Sequence, residues 1–320
     1  MTSKDGGDEK MGIVKFGKNL AYDVKRNKAL LLMVLPVVVY LIIFNYVPMA
    51  GAVIAFKSYN FNQGVFGSPW CGFNNFRFFF MSGKAWQVTK NTVLYNVAFI
   101  ITQNLLEIAA AIFLSEISRP RFKKLTQGAM FLPNFISWVV VGAIAYNLLS
   151  YDFGFVNNVL TSLGLEKWDV YTEASYWPGI FIFLSAWKHV GYGSIVYLAA
   201  IMGISSEIYE SAALDGANEW QKIRYITLPG IKPTFIVLLI LAIGNIFRGN
   251  FDMFYQLVGT NGLLYNSTDV IDTYVFRSLL TTFEFGMSSA IGLYQSVLCC
   301  ITLIVTNAII RRVNPENALY

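Results

Sequence analysis

Two long apolar stretches of the sequence contain polar and charged side chains whose chemistry suits ligand binding. A charge near the middle of a membrane-spanning helix costs about 2.5–3.5 kcal/mol on insertion scales, so such positions usually serve a function. Arginine is suited to carboxylates, and an aromatic face suits a sugar. The candidate binding residues are Ser185, Trp187, Lys188 and His189 in the first stretch, and Asn245, Arg248 and Asn250 in the second.

Each of these residues also has a structural interpretation. Lys188 and Arg248 could extend their charged ends to the membrane surface or pair with Asp252. His189 is the only histidine of the chain, and a structural hydrogen bond explains it as well as a ligand contact does. Trp187 could be a packing residue. No His, Cys or carboxylate stands at ligand spacing from His189, so we expect no metal site.

A polar stripe and three cysteines complete the chemical inventory. Asn96, Gln103 and Glu107 follow one another at i, i+7 and i+11, so they share a helix face that turns towards protein or water rather than lipid. Hydrogen bonds between helices and a transport path are both open interpretations. Cys71, Cys299 and Cys300 lack metal-binding spacing, and we interpret them as packing residues.

The elements that position these residues are membrane helices. The chain is 55% hydrophobic and 13% charged, about half the charged share of a soluble domain, with a mean hydropathy of +0.51. A helix needs about 20 apolar residues to cross a bilayer. We therefore predict an all-α, polytopic membrane protein with six spans. They are Ala29–Phe56, Val88–Leu114, Ala129–Leu149, Trp177–Met202, Thr234–Tyr255 and Ser289–Ile310.

The distribution of basic residues predicts the orientation. Lys and Arg are frequent in the tails 1–28 and 311–320 and in the second-to-third and fourth-to-fifth loops, which six spans place on one side. The positive-inside rule makes this side cytoplasmic and segment 57–87 extracytoplasmic. The net charge of +5 therefore reflects membrane orientation, and we expect no nucleic-acid partner.

Helical rise also predicts the depth of the two cations. Lys188 lies 14 residues before Met202, and Arg248 lies 14 residues after Thr234. At ~1.5 Å per residue, both would lie about 21 Å from the cytoplasmic surface. The sequence thus predicts two cations at one depth in an outward-open cavity.

The predicted cytoplasmic loop 204–233 differs in composition from the spans around it. Ser205 or Ser206 can cap a helix, and small residues then recur at helical spacing up to Gly216, which permits a left-handed turn. A second short helix is predicted over Glu219–Tyr225, ended by Pro229 and Pro233. Such a face allows another surface to approach closely, although it could equally pack on its own bundle.

This loop resembles the EAA motif of type I ABC importer permeases. The matching sequence is Glu210-Ser-Ala-Ala-Leu-Asp-Gly216-Ala followed by Leu228-Pro229, with Ser211 where the motif usually has Ala. The resemblance extends over roughly 86–310 and is closest to permeases for complex oligosaccharides and polysaccharides. It implies the type I permease fold over 88–310 and a loop that docks on an ATPase. The implied coupling residues are Tyr209, Glu210, Ala212, Ala213, Asp215 and Gly216.

The resemblance also implies partners and a location. We expect a second homologous permease, two ABC ATPases, an extracytoplasmic binding protein and an oligosaccharide, all at a bacterial inner membrane. The chain lacks a GxxxxGK[ST] motif, so ATP and Mg²⁺ would be bound by the ATPase, and this chain is not expected to be an enzyme. The sugar-contacting positions of maltose-type permeases fall in the fifth span on apolar Ala242, Ile246 and Gly249. A stand-alone secondary sugar transporter is the alternative.

Overall fold

The computed structural model of this protein describes residues 26–313 of the 320. Much of the predicted tails 1–28 and 311–320 therefore lies outside the described residues. The chain divides into two compact units, Met1–Ile54 and Ala55–Tyr320. The described part is helical, with one isolated antiparallel bridge between Lys57 and Trp70, so the all-α prediction is confirmed.

Helix α1, Lys28–Phe56, continues past both of its prolines. Proline lacks the N–H of a regular helical bond and its ring crowds the preceding turn. A wider turn at Ile42–Tyr46, closed by a bond from the Val47 N–H to the Ile42 carbonyl, makes room for Pro48. The side chains up to Met49 are all exposed in this chain, as suits a helix surrounded by lipid or by another protein.

Among the described residues, the second unit contains eleven further helices of eight or more residues. They are α2 (Asn74–Met81), α3 (Lys84–Glu116), α4 (Pro120–Phe131), α5 (Trp138–Leu149), α6 (Phe155–Ser162), α7 (Trp177–Met202), α8 (Ser206–Leu214), α9 (Glu219–Gly244), α10 (Phe251–Val258), α11 (Ile271–Thr281) and α12 (Phe285–Val313).

The described helices provide six membrane spans when bent pairs are counted once. Helices α1, α3, α9 and α12 are each long and apolar enough to cross a bilayer. The other two spans come from bent pairs: α4 with α5 at 93°, and α7 with α8 at 70°. The chain is thus a multi-pass membrane protein.

Three predicted boundaries were wrong. The third span, Ala129–Leu149, is not one helix, because it breaks between Phe131 and Trp138. The fifth span begins at Glu219 instead of Thr234 and ends at Gly244. The short helix predicted over Glu219–Tyr225 instead continues through two prolines, because a wide turn at Ile223–Thr227 gives Pro229 the space it needs.

Helices α3, α7 and α10 are held together by an aromatic core. The Phe181 and Phe254 rings lie 4.2 Å apart, and Tyr95 contacts both of them. Further along, the Tyr197 hydroxyl donates to the Asn104 side chain at 2.6 Å. Glu107 packs so closely on Gly193 that a Cβ there would overlap its carboxylate. These contacts pair α3 with α7 in the same direction and fix their relative depth.

Candidate functional site

The 204–233 loop is built as a helix, a glycine turn and a second helix. The Ser205 hydroxyl accepts a bond from the Glu207 N–H and starts α8. At its end, the Ala217 N–H bonds to the Ala212 carbonyl and the Gly216 N–H to the Ala213 carbonyl, the pattern of a Schellman motif. Gly216 has a φ of +81°, so the predicted left-handed turn is confirmed.

The outer face of this loop is open. Glu210, Ala213, Asp215 and Gly216 are exposed, and the Leu214 side chain is 90% exposed. Ala213 and Gly216, close to this leucine in the chain, have little or no side chain. These positions therefore form a surface that a second protein can approach closely.

Two of the predicted coupling residues face the chain itself. The Tyr209 hydroxyl lies 2.9 Å from the Thr227 hydroxyl on α9, so this ring ties the two helices together. Ala212 lines a pocket of about 340 Å³ between the end of α8 and the start of α9, next to Lys222 and Tyr225. The loop thus offers an outward surface and an adjoining recess.

Lys188 lies at the break in the third span. Its side chain is 6% exposed, and its ammonium donates to the carbonyls of Pro133 at 3.2 Å and Asn134 at 3.0 Å, and also to that of Ile136. The Trp138 ring lies 5.5 Å away as a cation–π partner. The lysine therefore supplies hydrogen bonds to backbone carbonyls at the break, and no donor of its ammonium is left over for a ligand in this conformation.

Ser185 and His189 form hydrogen bonds within the helix bundle, whereas Trp187 lies at its surface. The Ser185 hydroxyl accepts a bond from Gln103 at 2.9 Å, and His189 Nδ1 lies 2.9 Å from the Ser185 carbonyl oxygen. Trp187 is 41% exposed and lines a large apolar groove between α3, α4 and α7. The structure thus explains Ser185 and His189 by hydrogen bonds within the bundle, while their role in sugar binding stays a prediction.

The second group of candidates lies where the fifth span breaks. Asn245 ends α9 and Asn250 begins α10, where its side chain accepts a bond from the Met253 N–H at 3.2 Å. Arg248, between them, is exposed. The Arg248 carbonyl accepts a bond from Asn96 of α3 at 2.9 Å. The Asn245 amide donates to the Leu241 carbonyl at 3.0 Å, and the Arg248 guanidinium lies beside Asp272 and Cys299.

The prediction that Lys188 and Arg248 lie at one depth was wrong. Asn96 contacts Arg248, whereas Gln103 contacts Ser185, one turn before Lys188. Seven residues of α3 separate the two contacts, about 10 Å at ~1.5 Å per residue. The count from Thr234 assumed an unbroken span, and the span begins earlier and breaks before Arg248.

The ion pairs among the described residues do not include the predicted alternative, in which Lys188 and Arg248 pair with Asp252. In the described part of the chain, the ion pairs are Lys222 with Glu219 at 2.8 Å and Arg277 with Asp269 at 2.6 Å. Neither Lys188 nor Arg248 pairs with Asp252. The polar stripe of α3, in contrast, forms bonds between helices through Asn96 and Gln103.

Asp272 is a polar residue at the break in the fifth span that the sequence did not single out. It follows an apparent outer loop, and nothing in its local sequence marks it. The fold brings its carboxylate to the break in the fifth span, where Oδ2 accepts bonds from the Gly249 N–H at 2.6 Å and from Gln295 at 2.9 Å. Only this tertiary contact identifies it.

Comparison with known proteins identifies the class of protein that this fold and loop define. Residues 107–315 match the family model described as "Binding-protein-dependent transport system inner membrane component". This match covers more than half of the chain. The chain therefore belongs to the family of permease components of binding-protein-dependent transport systems.

Individual relatives cover nearly the whole chain. Protein LplB of Bacillus subtilis (strain 168) is 33% identical over 95% of this chain and 96% of its own length. The polygalacturonan/rhamnogalacturonan transport system permease protein YteP of the same organism is 32% identical over 93% and 92%. A chain of a bacterial ABC transporter involved in the import of the acidic polysaccharide alginate superposes with a TM-score of 0.84 and 34% identity, over 92% of this chain and 99% of that one.

Proposed function

We propose that this chain is the permease subunit of an ATP-binding-cassette importer that moves an oligosaccharide across a bacterial inner membrane. A second homologous permease would complete the pathway, and an extracytoplasmic binding protein would deliver the sugar. ATP and Mg²⁺ would be bound by two separate ATPase subunits. Family membership supports this assignment, and the open surface of the 204–233 loop is the observation that carries it.

The loop surface supports docking of an ATPase from the cytoplasm. Small side chains at Ala213 and Gly216 allow close approach, and the exposed Glu210 carboxylate offers a partner for basic groups. The recess beside Ala212 would receive a side chain of the docked subunit. Because the Schellman turn fixes the end of α8, a push on this helix is transmitted to α9 through the Tyr209–Thr227 contact.

A charged substituent at Gly216 tests this docking. In the Gly216→Asp variant, the side chain enters open space, since no atom lies within 4 Å of the added Cβ. We expect normal membrane insertion but loss of sugar uptake, with ATP hydrolysis no longer stimulated by the loaded binding protein. Both are measured in proteoliposomes that contain the whole transporter.

Gly164→Asp is the matched control for this experiment. Gly164 also has a left-handed backbone, with φ of +73°, and nothing within 4 Å of an added Cβ, so the backbone strain is alike while the position lies outside the loop. Uptake by Gly164→Asp should stay close to wild type. Normal coupled uptake by Gly216→Asp would refute the docking role of the loop.

An acidic oligosaccharide is the proposed substrate. The family relatives include a polygalacturonan/rhamnogalacturonan permease and the solved alginate importer. In this chain, Arg248 is exposed at the break in the fifth span, where a carboxylate could bind its guanidinium in a bidentate manner. The arginine thus offers a reason for a preference for uronate-containing sugars.

Uptake by Arg248 variants tests the substrate class. Arg248→Ala should raise the KM for a galacturonate tetrasaccharide or an alginate pentasaccharide by about tenfold or more, as expected for loss of a charged hydrogen bond. Uptake of neutral maltopentaose should change little. Arg248→Lys keeps the charge and should recover part of the loss. Equal effects on acidic and neutral sugars would exclude the acidic preference but leave oligosaccharide import intact.

A further inference from the structure

The break in the fifth span adjoins a pocket of about 240 Å³ with mixed polar and aromatic walls. Phe251, Asp272, Gly292 and Gln295 are among its lining residues. The pocket has room for a single sugar ring rather than a longer chain. It contains none of the binding residues predicted from the sequence.

The depth of this pocket places it beside the transport cavity. Asp272 accepts a bond from the Gly249 N–H. The carbonyl of the preceding residue, Arg248, accepts a bond from Asn96, which lies 12 residues after the first residue of α3. At ~1.5 Å per residue, Asn96 therefore lies about 18 Å along α3 from its first, extracytoplasmic residue. Non-helical backbone at such depth is tolerated only where it is buried in protein or lines a water-filled cavity. Arg248 at the break is exposed and charged, which suits a water-filled cavity rather than lipid.

The polar groups of the pocket are hydrogen-bond acceptors. Both N–H groups of Gln295 are already used, one to the Phe247 carbonyl at 2.8 Å and one to Asp272 Oδ2 at 2.9 Å. Oδ2 also accepts from the Gly249 N–H. Gln295 therefore has its Oε1 free, and Asp272 has Oδ1, which is bonded at most by its own backbone N–H. Two neighbouring acceptors suit two hydroxyl donors, whereas they would repel a carboxylate.

The apolar wall is an aromatic cluster. Phe251 stacks on Tyr255 with ring centroids 5.3 Å apart and planes 14° apart, and Phe276 packs at 4.7 Å from Phe251. These contacts hold the Phe251 ring rigid beside the acceptors. An aromatic ring next to a carboxylate and an amide oxygen is a combination that binds the apolar face and the hydroxyl edge of a sugar together.

We propose that this pocket binds one pyranose ring of the transported glycan, with Asp272 and Gln295 accepting bonds from its hydroxyls and Phe251 packing against its face. The proposal rests on the proposed oligosaccharide import. It gives the cavity two complementary contacts, Arg248 for a carboxylate and the Asp272–Gln295 pair for hydroxyls. A uronate sugar carries both groups.

Asp272→Asn tests the acceptor role with little change to the fold. The amide oxygen of Asn can still accept from Gly249 and Gln295, while the free oxygen becomes an N–H₂ donor. Uptake is measured in proteoliposomes with the complete transporter and binding protein, using galacturonate tetrasaccharide, alginate pentasaccharide and maltopentaose. For each sugar that the wild type imports, we expect the KM of Asp272→Asn and of Phe251→Leu to rise about tenfold.

Two control variants share the chemistry but not the pocket. Asp252 is exposed on α10 and Phe283 is 64% exposed near the end of α11, and neither lines the pocket. Asp252→Asn and Phe283→Leu should keep the KM within about twofold of wild type. If both pocket variants keep the wild-type KM, the pocket proposal is wrong while oligosaccharide import stands. If the wild type imports none of the three sugars, the proposed function fails, and this proposal fails with it.

A fluorescent variant gives a second readout that does not depend on how Asp272→Asn assembles. In Phe251→Trp, addition of an imported sugar should shift the tryptophan emission relative to the wild-type transporter. An unchanged emission of Phe251→Trp at saturating sugar would overturn the proposal.

Discussion

A buried ammonium group in a membrane protein needs oxygen atoms in place of water. Lys188 obtains them from three backbone carbonyls in the break between α4 and α5. The need is mutual for the carbonyls of Asn134 and Ile136, which lie where the span bends by 93°, whereas the Pro133 carbonyl also accepts from the Ile136 N–H. A single side chain thus makes a bent span possible.

The stability of a Lys188→Met variant tests this structural role. Methionine fills similar space but leaves the Asn134 and Ile136 carbonyls without the lysine donor, so we expect a loss of about 2–3 kcal/mol and a lower Tm of the purified protein. Lys232→Met, at an exposed position of α9, is the matched control and should keep the wild-type Tm. An unchanged Tm together with a raised KM for sugar would instead show that Lys188 contacts the substrate.

Gly191 of α7 allows the bent pair of α4 and α5 to lie close against α7. A Cβ on Gly191 would overlap the backbone carbonyl of Met130 on α4, and backbone atoms cannot rotate away as a side chain can. In the same helix, Gly179 has open space around it. The helix therefore contains two glycines that packing requires, Gly191 and Gly193, and one that it does not, Gly179.

Alanine at the two glycines should have opposite effects on stability. Gly191→Ala forces α4 away from α7, and we expect it to cost about 1–3 kcal/mol and lower the Tm. Gly179→Ala should leave the Tm unchanged or raise it slightly, because alanine favours the helix by up to about 1 kcal/mol. Equal Tm values for the two variants would contradict the close contact between Gly191 of α7 and the Met130 carbonyl of α4.

Elements whose ends are marked in the local sequence were predicted well. Helix α7 has the bounds predicted from its apolar run, Trp177–Met202, and α8 ends at the predicted left-handed turn of Gly216. The breaks in the third and fifth spans were missed because the apolar pattern continues across them. Their backbone groups are satisfied by residues distant in sequence, such as Lys188 for the third span. Asp272 was missed for the same reason.

At the scale of the whole molecule, the charge distribution sets the orientation in the membrane. The predicted cytoplasmic side contains the basic residues of both tails and of two loops, including the 204–233 loop. The opposite side contains the acidic and aromatic segment between the third and fourth spans. Since basic residues near span ends favour the cytoplasmic side, the 204–233 loop should lie where ATP is available.

Cysteine accessibility in intact cells tests this orientation. Ser162, at the end of α6, and Ser211, on α8, are both exposed, so each can be changed to cysteine with little effect on the fold, in a chain whose three native cysteines are replaced by serine. A membrane-impermeant maleimide should label Ser162→Cys in intact spheroplasts, and label Ser211→Cys only after the membrane is permeabilised. Labelling of Ser211→Cys from outside would place the loop away from any ATPase and would refute the proposed import mechanism.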